Sequence, residues 1–406
     1  MKYSVVIPTY NNCEKYLKPC IDSIVKHTEM TDVELVISAN GCTDNTAQYL
    51  AYLQTAIPNI VVVWHEKPLG FAKATNNGIR VASSDRIALL NNDTLILGDD
   101  WLHRLHTYSI STVLTQFSPI TKQKFGVFFC TMIHKKVFDA IGLLDETFGT
   151  GGCEDIDFCR RAGEAGFNLI DVGYNGDFPI YHVAEGTVHN PELVQNWEAK
   201  FKANELILAK KWSPEYYRYL LSNNYERAVF LKGDPVFPRE TKRYNWARQN
   251  LKGFSVLEIG CSTGYGCQFL PDNYTYLGLD YDPIIVEVAK EQNWGNQRKF
   301  EQADINTYPL GHYDTIIAFE VIEHLDNGLE IIKNLKLCCD RLLITVPHNE
   351  PKGFWGEHHK LHGLTEKDFP DFQFEYINHA GEISSVLQAI TPENPSNLMI
   401  CRWDNE

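Results

Sequence analysis

The sequence has no apolar run approaching the roughly 18 residues of a membrane-spanning helix, so no transmembrane segment is expected. Its first apolar run, in MKYSVVIPTY, stops at Pro8, which is too short for a signal-peptide core and reads as a first strand. Cysteine is plentiful, but its patterning is poor: the 11 cysteines form no CxxC pair, and only Cys338 and Cys339 are adjacent. That argues against a zinc ribbon or a disulfide frame and leaves reduced thiols in a soluble cytoplasmic protein. Positive charge is also short. With 37 Lys and Arg against 52 Asp and Glu, a net charge of −15 makes nucleic acid a poor partner, since phosphate contacts need clustered cations. A small anionic ligand stays admissible, because one bound metal ion reverses the local field. Peripheral contact with a membrane is left open.

What is present is ordinary globular composition, 44% hydrophobic and 22% charged, over 406 residues, enough for two or three domains with full cores. The first half alternates strand and helix patterns. YSVVIP, VELVIS, NIVVVW and RIALL read as strands; Asn11 or Asn12 caps a helix whose Leu17, Cys20, Ile21, Ile24 and Val25 recur at helical spacing. Short apolar runs separated by helices predict a largely parallel sheet covered on both faces. From about Pro191 to Leu231 the pattern is helical, with Ser213-Pro214 restarting a helix, and the aperiodic GDPVFPRE (Gly233 to Glu240) marks a boundary. Beyond it SVLEIG, YTYLGLD, KFEQAD, YDTIIAFEV, RLLITVP, FQFEYI and NLMICRW read as seven strands, helical segments separating the first five and an antiparallel hairpin closing the sheet.

Chemistry in the first half centres on LLNNDT (Leu89 to Thr94), which puts Asn91, Asn92 and Asp93 at the carboxyl end of a strand, where open parallel sheets collect ligands. A carboxylate there can hold Mg2+ or Mn2+, though NND alone equally makes a turn. Four further motifs accompany it in order: VVIPTYNN (Val5 to Asn12), ELVISANGCTDNT (Glu34 to Thr46), LGFAKATNNGI (Leu69 to Ile79) and GGCEDIDFCRRAGEAGF (Gly151 to Phe167). With these motifs the first 190 or so residues resemble the family-2 glycosyltransferases of the GT-A fold. The resemblance implies that Asp93 holds the divalent ion bridging a nucleotide-sugar diphosphate, with His182 of PIYHVAEGT as a further metal ligand. It implies that Pro8, Tyr10, Asn40, Asn76, Asn91 and Asn92 line the donor site. Asp155 of EDID stands at the family's general base, with Glu154 beside it on the substrate side and Asp157 two residues on; the same acids would also complement a helix N-terminus. Inversion at the anomeric carbon follows by the same implication. Ala39 stands where the family has a base-binding aspartate, and Pro68 where it has an asparagine, so the donor nucleobase stays open.

In the second half VLEIGCSTGYG (Val256 to Gly266) ends a strand in a glycine-rich loop, and Asp280 closes the next strand, a spacing suited to a ribose-binding doubly wound domain. The glycines do not spell GxGxxG, which weakens a nicotinamide dinucleotide reading. EIGCSTGYG, GLDYD, ADI (Ala303 to Ile305) and FEVIEHL (Phe319 to Leu325) together resemble the class I S-adenosylmethionine-dependent methyltransferases over residues 241–406. The resemblance implies that Gly260, Cys261 and Gly264 admit the methionine portion, that Asp280 binds the ribose, and that Asp304 and Ile305 border the adenine. Glu258 would contact the methionine amine or fix the loop. The segment PHNEPKGFWGEHHKLHG (Pro347 to Gly363) gathers His348, His358, His359 and His362 with Trp355. A metal held by HHKLH ranks below a base or substrate-binding role, because Gly356 and Gly363 bracket too short a segment for a stable helix. As catalytic base His359 comes first and His324 second.

The expectation is therefore an α/β protein of two doubly wound, Rossmann-like domains. A GT-A glycosyltransferase domain would occupy residues 1–190, a helical linker 191–240, and a seven-stranded class I methyltransferase domain 241–406. Function would be glycan biosynthesis: sugar transfer from a nucleotide-sugar donor with a divalent cation, and O-methylation of a saccharide acceptor with S-adenosylmethionine. The rival keeps only the methyltransferase active, with a degenerate, carbohydrate-binding first domain. Methylation of protein or nucleic acid is a third reading, disfavoured by the acidic charge.

Overall fold

The computed structural model describes residues 2–173, 177–184, 197–222, 227–354 and 358–405; Pro191, Trp355 and Gly356, named above, lie outside these. The chain forms two compact units, Met1–Tyr217 and Arg218–Glu406.

In the first unit, strands β1 (Tyr3–Thr9), β2 (Val33–Asn40), β3 (Ile60–His65) and β4 (Arg86–Leu90) run parallel, where the apolar runs predict them. After a short β5 (Thr94–Ile96), the sheet continues through β6 (Ile110–Thr112), β9 (Cys130–His134) and β10 (Leu169–Asp171), while β7 (Thr115–Ser118) pairs separately with β8 (Gln123–Gly126). The seven-stranded order is β10-β6-β9-β4-β1-β2-β3, and β9 alone runs against the rest. Strand β11 (Ile180–His182) pairs antiparallel with β5 outside that sheet. Both faces of the sheet are buried, which explains continuous apolar strands in place of alternating ones. Val5 and Ile7 meet Leu17, Cys20, Ile21 and Ile24 on one face, and Val6 meets Ala72, Ile79 and Phe158 on the other.

Helices of this unit are α1 (Lys18–Lys26), α2 (Thr46–Ala56), α3 (Phe71–Val81), α4 (Trp101–Leu105), α5 (Lys135–Ile141), α6 (Glu154–Glu164) and α7 (Trp197–Trp212). The expected Asn cap on the first helix is replaced. A wide turn over Cys13–Leu17 precedes α1, and Asn12 makes no side-chain cap. Asp44 instead accepts the Cys13 amide at 2.9 Å, while Asn11 accepts the Thr43 amide at 2.7 Å. The amide donors at the start are satisfied by a neighbouring loop instead of by the chain's own cap. Val25 is 41% exposed and takes no part in the core.

The segment expected as a linker divides. Asn204 of α7 donates to the carbonyls of Phe148, Gly151 and Gly152, and Trp212 donates to Asp157 at 2.8 Å, so this helix is bolted to the first unit. Helix α8 (Pro214–Leu221) starts on the expected Ser213 cap, whose hydroxyl accepts the Tyr216 amide at 3.3 Å. Residues from Arg218 onward belong to the second unit: Phe230 packs on Tyr265 with ring centroids 4.8 Å apart, and Asp234 takes a forked pair of bonds from Arg218.

The second unit follows α9 (Pro238–Gln249) with β12 (Ser255–Ile259), β13 (Thr275–Asp280), β14 (Arg298–Gln302), β15 (Tyr313–Phe319), β16 (Cys339–Pro347), β17 (Gln373–Ile377), the two-residue β18 (Ile383–Ser384) and β19 (Leu398–Asp404). The order is β14-β13-β12-β15-β16-β19-β17-β18. Five strands are parallel, and β19 slots antiparallel between β16 and β17, so all seven expected strands are present with the antiparallel pair at the end. Only α10 (Pro283–Glu291) and α11 (Gly328–Lys336) are α-helical crossovers; β12 leads into a short 3-10 turn at Tyr265–Phe269, and no helix joins β14 to β15. The expectation of helices between each of the first five strands is corrected there.

Candidate active sites

In the first unit the carboxyl ends of β1, β2 and β4 converge, carrying Pro8 and Tyr10, Asn40, and Asn91 to Asp93. The β5–β11 ladder sets what meets Asp93. Its register places His182 opposite Thr94, and the Val183 amide donates to the Asp93 carbonyl at 3.0 Å. His182 Nε2 therefore lies 3.2 Å from Asp93 Oδ1, and its ring stacks on Phe129 at 4.3 Å and 5°. Asp93 is buried, its carboxylate and this imidazole presenting one oxygen and one nitrogen together. That pair fits a hard to borderline divalent ion with phosphate oxygens completing the shell, so Asp93 and His182 are the residues that would hold one.

The scaffold engages the side chains of Asn92, Asn40 and Asn76 and the backbone of Asn91. Asn92 donates to the Thr9 hydroxyl at 2.9 Å, and the Asn91 amide donates to the Phe129 carbonyl at 2.8 Å. Asn40 accepts the Leu69 amide at 2.6 Å and latches the turn before α3. Asn76 is buried, with both N–H groups given to Leu144 and Glu146 and its carbonyl accepting the Leu144 amide. Ala39 is fully buried in the core and presents no polar group.

The acids of EDID separate into two roles. Asp157 is fully buried and accepts from Arg161 at 2.8 Å, Trp212 at 2.8 Å and Lys211 at 2.6 Å, so it anchors α7. Glu154 and Asp155 open α6. Asp155 is half-buried; burial pushes its carboxyl up to about 6, against bonds from the Ile156 and Phe128 backbone. Burial, then the Asp155 charge, pushes Glu154 higher, and its Oε2 has no partner among the described residues. The pair titrates as a unit and holds one proton near neutrality. Adjacent residues Phe128 and Phe129 thus touch the acid pair and the Asp93–His182 pair respectively.

In the second unit the glycine loop is closely packed. Gly260 and Cys261 both donate to the Leu279 carbonyl, at 2.8 and 3.0 Å, and a Cβ on Gly260 would fall 2.4 Å from Val321 Cγ2. A Cβ on Gly264 would fall 2.5 Å from Phe300 and 2.9 Å from Trp294 Nε1. The Cys261 thiol is buried. Protein side chains stand where a Cβ at Gly260 or Gly264 would point, so close packing by itself calls for glycine at both positions. Glu258 is sealed between the hydroxyls of Tyr244 and Tyr276, and burial raises it to about 7 despite those bonds. It ties β12 to α9 and to β13.

Asp280 has acceptor capacity to spare. Its two oxygens accept the Ser262 and Asp282 amides at 2.9 and 3.0 Å, which leaves two lone-pair positions for ribose hydroxyls. Asp304 is exposed and closes a turn by accepting the Asn306 amide at 2.9 Å, with Ile305 half-buried beside it. Arg227, which the sequence reading missed, lies 3.8 Å from Asp280 and 3.2 Å from Asp282. These residues suit an adenosine portion at the carboxyl ends of β13 and β14.

His359 and His324 do come together. Lys360 and Leu361 donate their amides to the Glu323 carbonyl at 2.7 and 3.0 Å, folding the histidine-rich segment onto the FEVIEHL turn. The rings of His324 and His359 meet edge to face at 4.7 Å, and His359 Nδ1 lies 2.7 Å from Glu350 Oε2. Beside them Glu323 is buried, with neither carboxylate oxygen partnered among the described residues; burial, then the Glu320 charge, raises it well above the usual carboxylate range. Glu320 lies 3.9 Å from both Arg239 and Arg243 of α9. His348 pairs with Glu366 at 3.2 Å, a structural role. Glu350 and Glu323 were also missed; the adjacent acid and histidine in EVIEH were the signal for the second.

These are two transferase-type folds, a GT-A-like mixed sheet and a methyltransferase sheet with its last strand reversed. Comparison with known proteins agrees: residues 4–112 match the family model Glycosyl transferase family 2, and residues 215–389 match one described as Methyltransferase domain. The chain therefore carries, in order, a segment similar to family-2 glycosyltransferases and a segment similar to methyltransferase domains. It is similar to the glycosyltransferase GlyG of Streptococcus pneumoniae, 32% identical over 23% of this chain and 30% of that protein. It is also similar to the glycosyltransferase GlyA of the same organism, 22% identical over 78% of this chain and 45% of that protein. The chain spans less than half the length of these two curated relatives. In the solved N-methyltransferase NodS of Bradyrhizobium japonicum, in complex with S-adenosyl-L-homocysteine, the likeness is 16% identity and a TM-score of 0.33 over 41% of this chain and 85% of that one. Among the described residues no helix is long and apolar enough to cross a membrane.

Proposed function

We propose that the chain is a bifunctional enzyme of glycan biosynthesis, transferring a sugar with inversion in its first unit and O-methylating a saccharide hydroxyl in its second. The observation that carries the first part is the Asp93–His182 pair, joined through Phe129 and Phe128 to the raised Glu154–Asp155 pair. Asp93 and His182 would hold a Mn2+ or Mg2+ ion, which supplies positive charge to a departing nucleoside diphosphate. Asp155, raised toward neutrality yet open on one side, takes the acceptor hydroxyl's proton, and Glu154 retains a proton beside it. In the second unit S-adenosylmethionine would be held at Asp280, with Asp304 and Ile305 at its base, and supplies an electrophilic methyl group. The acceptor hydroxyl would meet the His359 cluster. Eleven unpaired cysteines support a cytoplasmic setting.

The rival reading, a degenerate first domain, is favoured by the buried Ala39 and by Asn91 in place of an acid. The test is a thermal-shift screen of UDP-, dTDP- and GDP-sugars with Mn2+ on the full chain and its D93N variant, followed by assay of sugar transfer. A Mn2+-dependent shift lost in D93N supports transfer. Shifts with no sugar that are indifferent to Mn2+ and to D93N sink it in favour of the rival.

A further inference from the structure

We propose that Glu323, His324 and His359 form a second, separate divalent-metal site, in the methyltransferase unit, for a transition cation of the Mn2+ to Zn2+ series. One ligand atom from each lies within 4.8 Å of the others, a spacing that a single ion can bridge. The independent observation is Glu323. It is 1% exposed, and among the described residues neither of its carboxylate oxygens has a hydrogen-bond partner. A buried carboxylate without a hydrogen-bond partner is costly, and a cation among these ligand atoms removes the cost.

The surrounding geometry is that of a built site. Glu350, itself buried, sits 2.7 Å from His359 Nδ1, which fixes the tautomer and leaves Nε2 for a metal, the carboxylate–histidine arrangement common around metal-bound imidazoles. The loop that delivers His359 is pinned at its base by the Asn349 amide on the Leu364 carbonyl, 2.7 Å, and the Gly363 amide on the Glu350 carbonyl, 2.9 Å. Its tip is tied to Glu323 by Lys360 and Leu361. The chain enters the turn through Glu320 at φ 54, a left-handed conformation that non-glycine residues adopt at a cost and that clusters at functional sites. Two imidazoles and one carboxylate favour borderline cations over Mg2+ or Ca2+, and three protein ligands leave positions open for an acceptor oxygen. Resting on the O-methylation reading, the ion's role would be to polarise that acceptor hydroxyl, with His359 a ligand in place of a base.

The test is Mn2+ binding to the full chain, counted from the loss of the free-ion electron paramagnetic resonance signal, with Zn2+ as competitor. Wild type, D93N, E323Q and D93N/E323Q are compared. The expected result is that E323Q removes one bound equivalent in either background, and that Zn2+ displaces that equivalent. E350Q weakens it by roughly 10- to 100-fold while leaving the metal-free melting temperature near wild type. Unchanged stoichiometry in E323Q overturns the site, whatever D93N does. Should E323Q fail to fold, E350Q decides alone: undiminished Mn2+ affinity refutes the proposal. Calorimetric titration with S-adenosylhomocysteine separates the underlying reading, since absent nucleoside binding would sink O-methylation while a Glu323-dependent Mn2+ equivalent still establishes the site.

Discussion

Replacing Gly264 with alanine distinguishes two uses of the glycine loop. If the glycine admits a ligand, a methyl group there blocks binding and spares the fold. The structure argues the opposite. The new Cβ would stand 2.5 and 2.6 Å from two carbons of the Phe300 ring and 2.9 Å from Trp294 Nε1. Neither neighbour can yield easily, since Trp294 Nε1 donates to the Thr263 carbonyl at 2.9 Å and Phe300 packs against Tyr276 with centroids 5.8 Å apart. The backbone at φ +75 adds about 1–2 kcal/mol for a residue with a Cβ, and overpacking adds about 1–3 kcal/mol. For a unit the size of Arg218–Glu406, about 3 kcal/mol lowers the melting temperature by roughly 6–12 °C. Differential scanning calorimetry of the full chain reads this directly, and calorimetric titration with S-adenosylhomocysteine at low temperature reads binding. A G264A variant that melts with wild type but no longer binds the nucleoside refutes the packing argument.

Glu258 makes a pH prediction. Burial raises its carboxyl from 4.5 to about 7, about 3 kcal/mol in all, so its protonated form is favoured by folding. That stability is fully present below about pH 4.5 and lost as pH rises through about 7, so E258Q should gain roughly 5–10 °C over wild type between about pH 5 and about pH 8; parallel melting curves would contradict it. Asp157→Asn removes the charge that Arg161, Trp212 and Lys211 share. A broken buried pair costs about 3–5 kcal/mol, reduced to about 2 because Lys211 reaches solvent, so the first unit should melt roughly 4–8 °C lower in calorimetry. For sugar transfer, D155N should lower the rate by roughly 10²- to 10⁴-fold. The wild-type rate should fall as pH drops below about 6, where Asp155 protonates, and E154Q should leave that limb in place because Glu154 stays protonated while its neighbour ionises.

Legibility followed the range of the interaction responsible. Strands buried on both faces announce themselves as apolar runs, so β1 to β4 and the seven main strands of the second sheet were readable. Reversal of β9 was not, because direction is set by connections and leaves no mark on the composition of CTMIH. Asp93 and Asp155 were legible as acids at element ends, whereas the contact between Asp93 and His182 depends on a three-residue ladder, β5 with β11, too short to carry periodicity. The glycine loop shows the limit of motif reading most clearly. A glycine at positive φ is demanded equally by a ligand and by a neighbouring ring, and Phe300 and Trp294 are separated from Gly264 by a strand and a helix. Likewise Glu323 was written beside His324 throughout, but its third partner arrives only because Lys360 and Leu361 donate their amides to a distant carbonyl. Backbone bonds carry no side-chain signature, so a cluster assembled by them is invisible until the chain is folded. The same argument says where else to look: at buried charges left unpartnered, such as Glu154 Oε2 and both oxygens of Glu323, since each costs the fold stability that only a ligand, a proton or an ion restores.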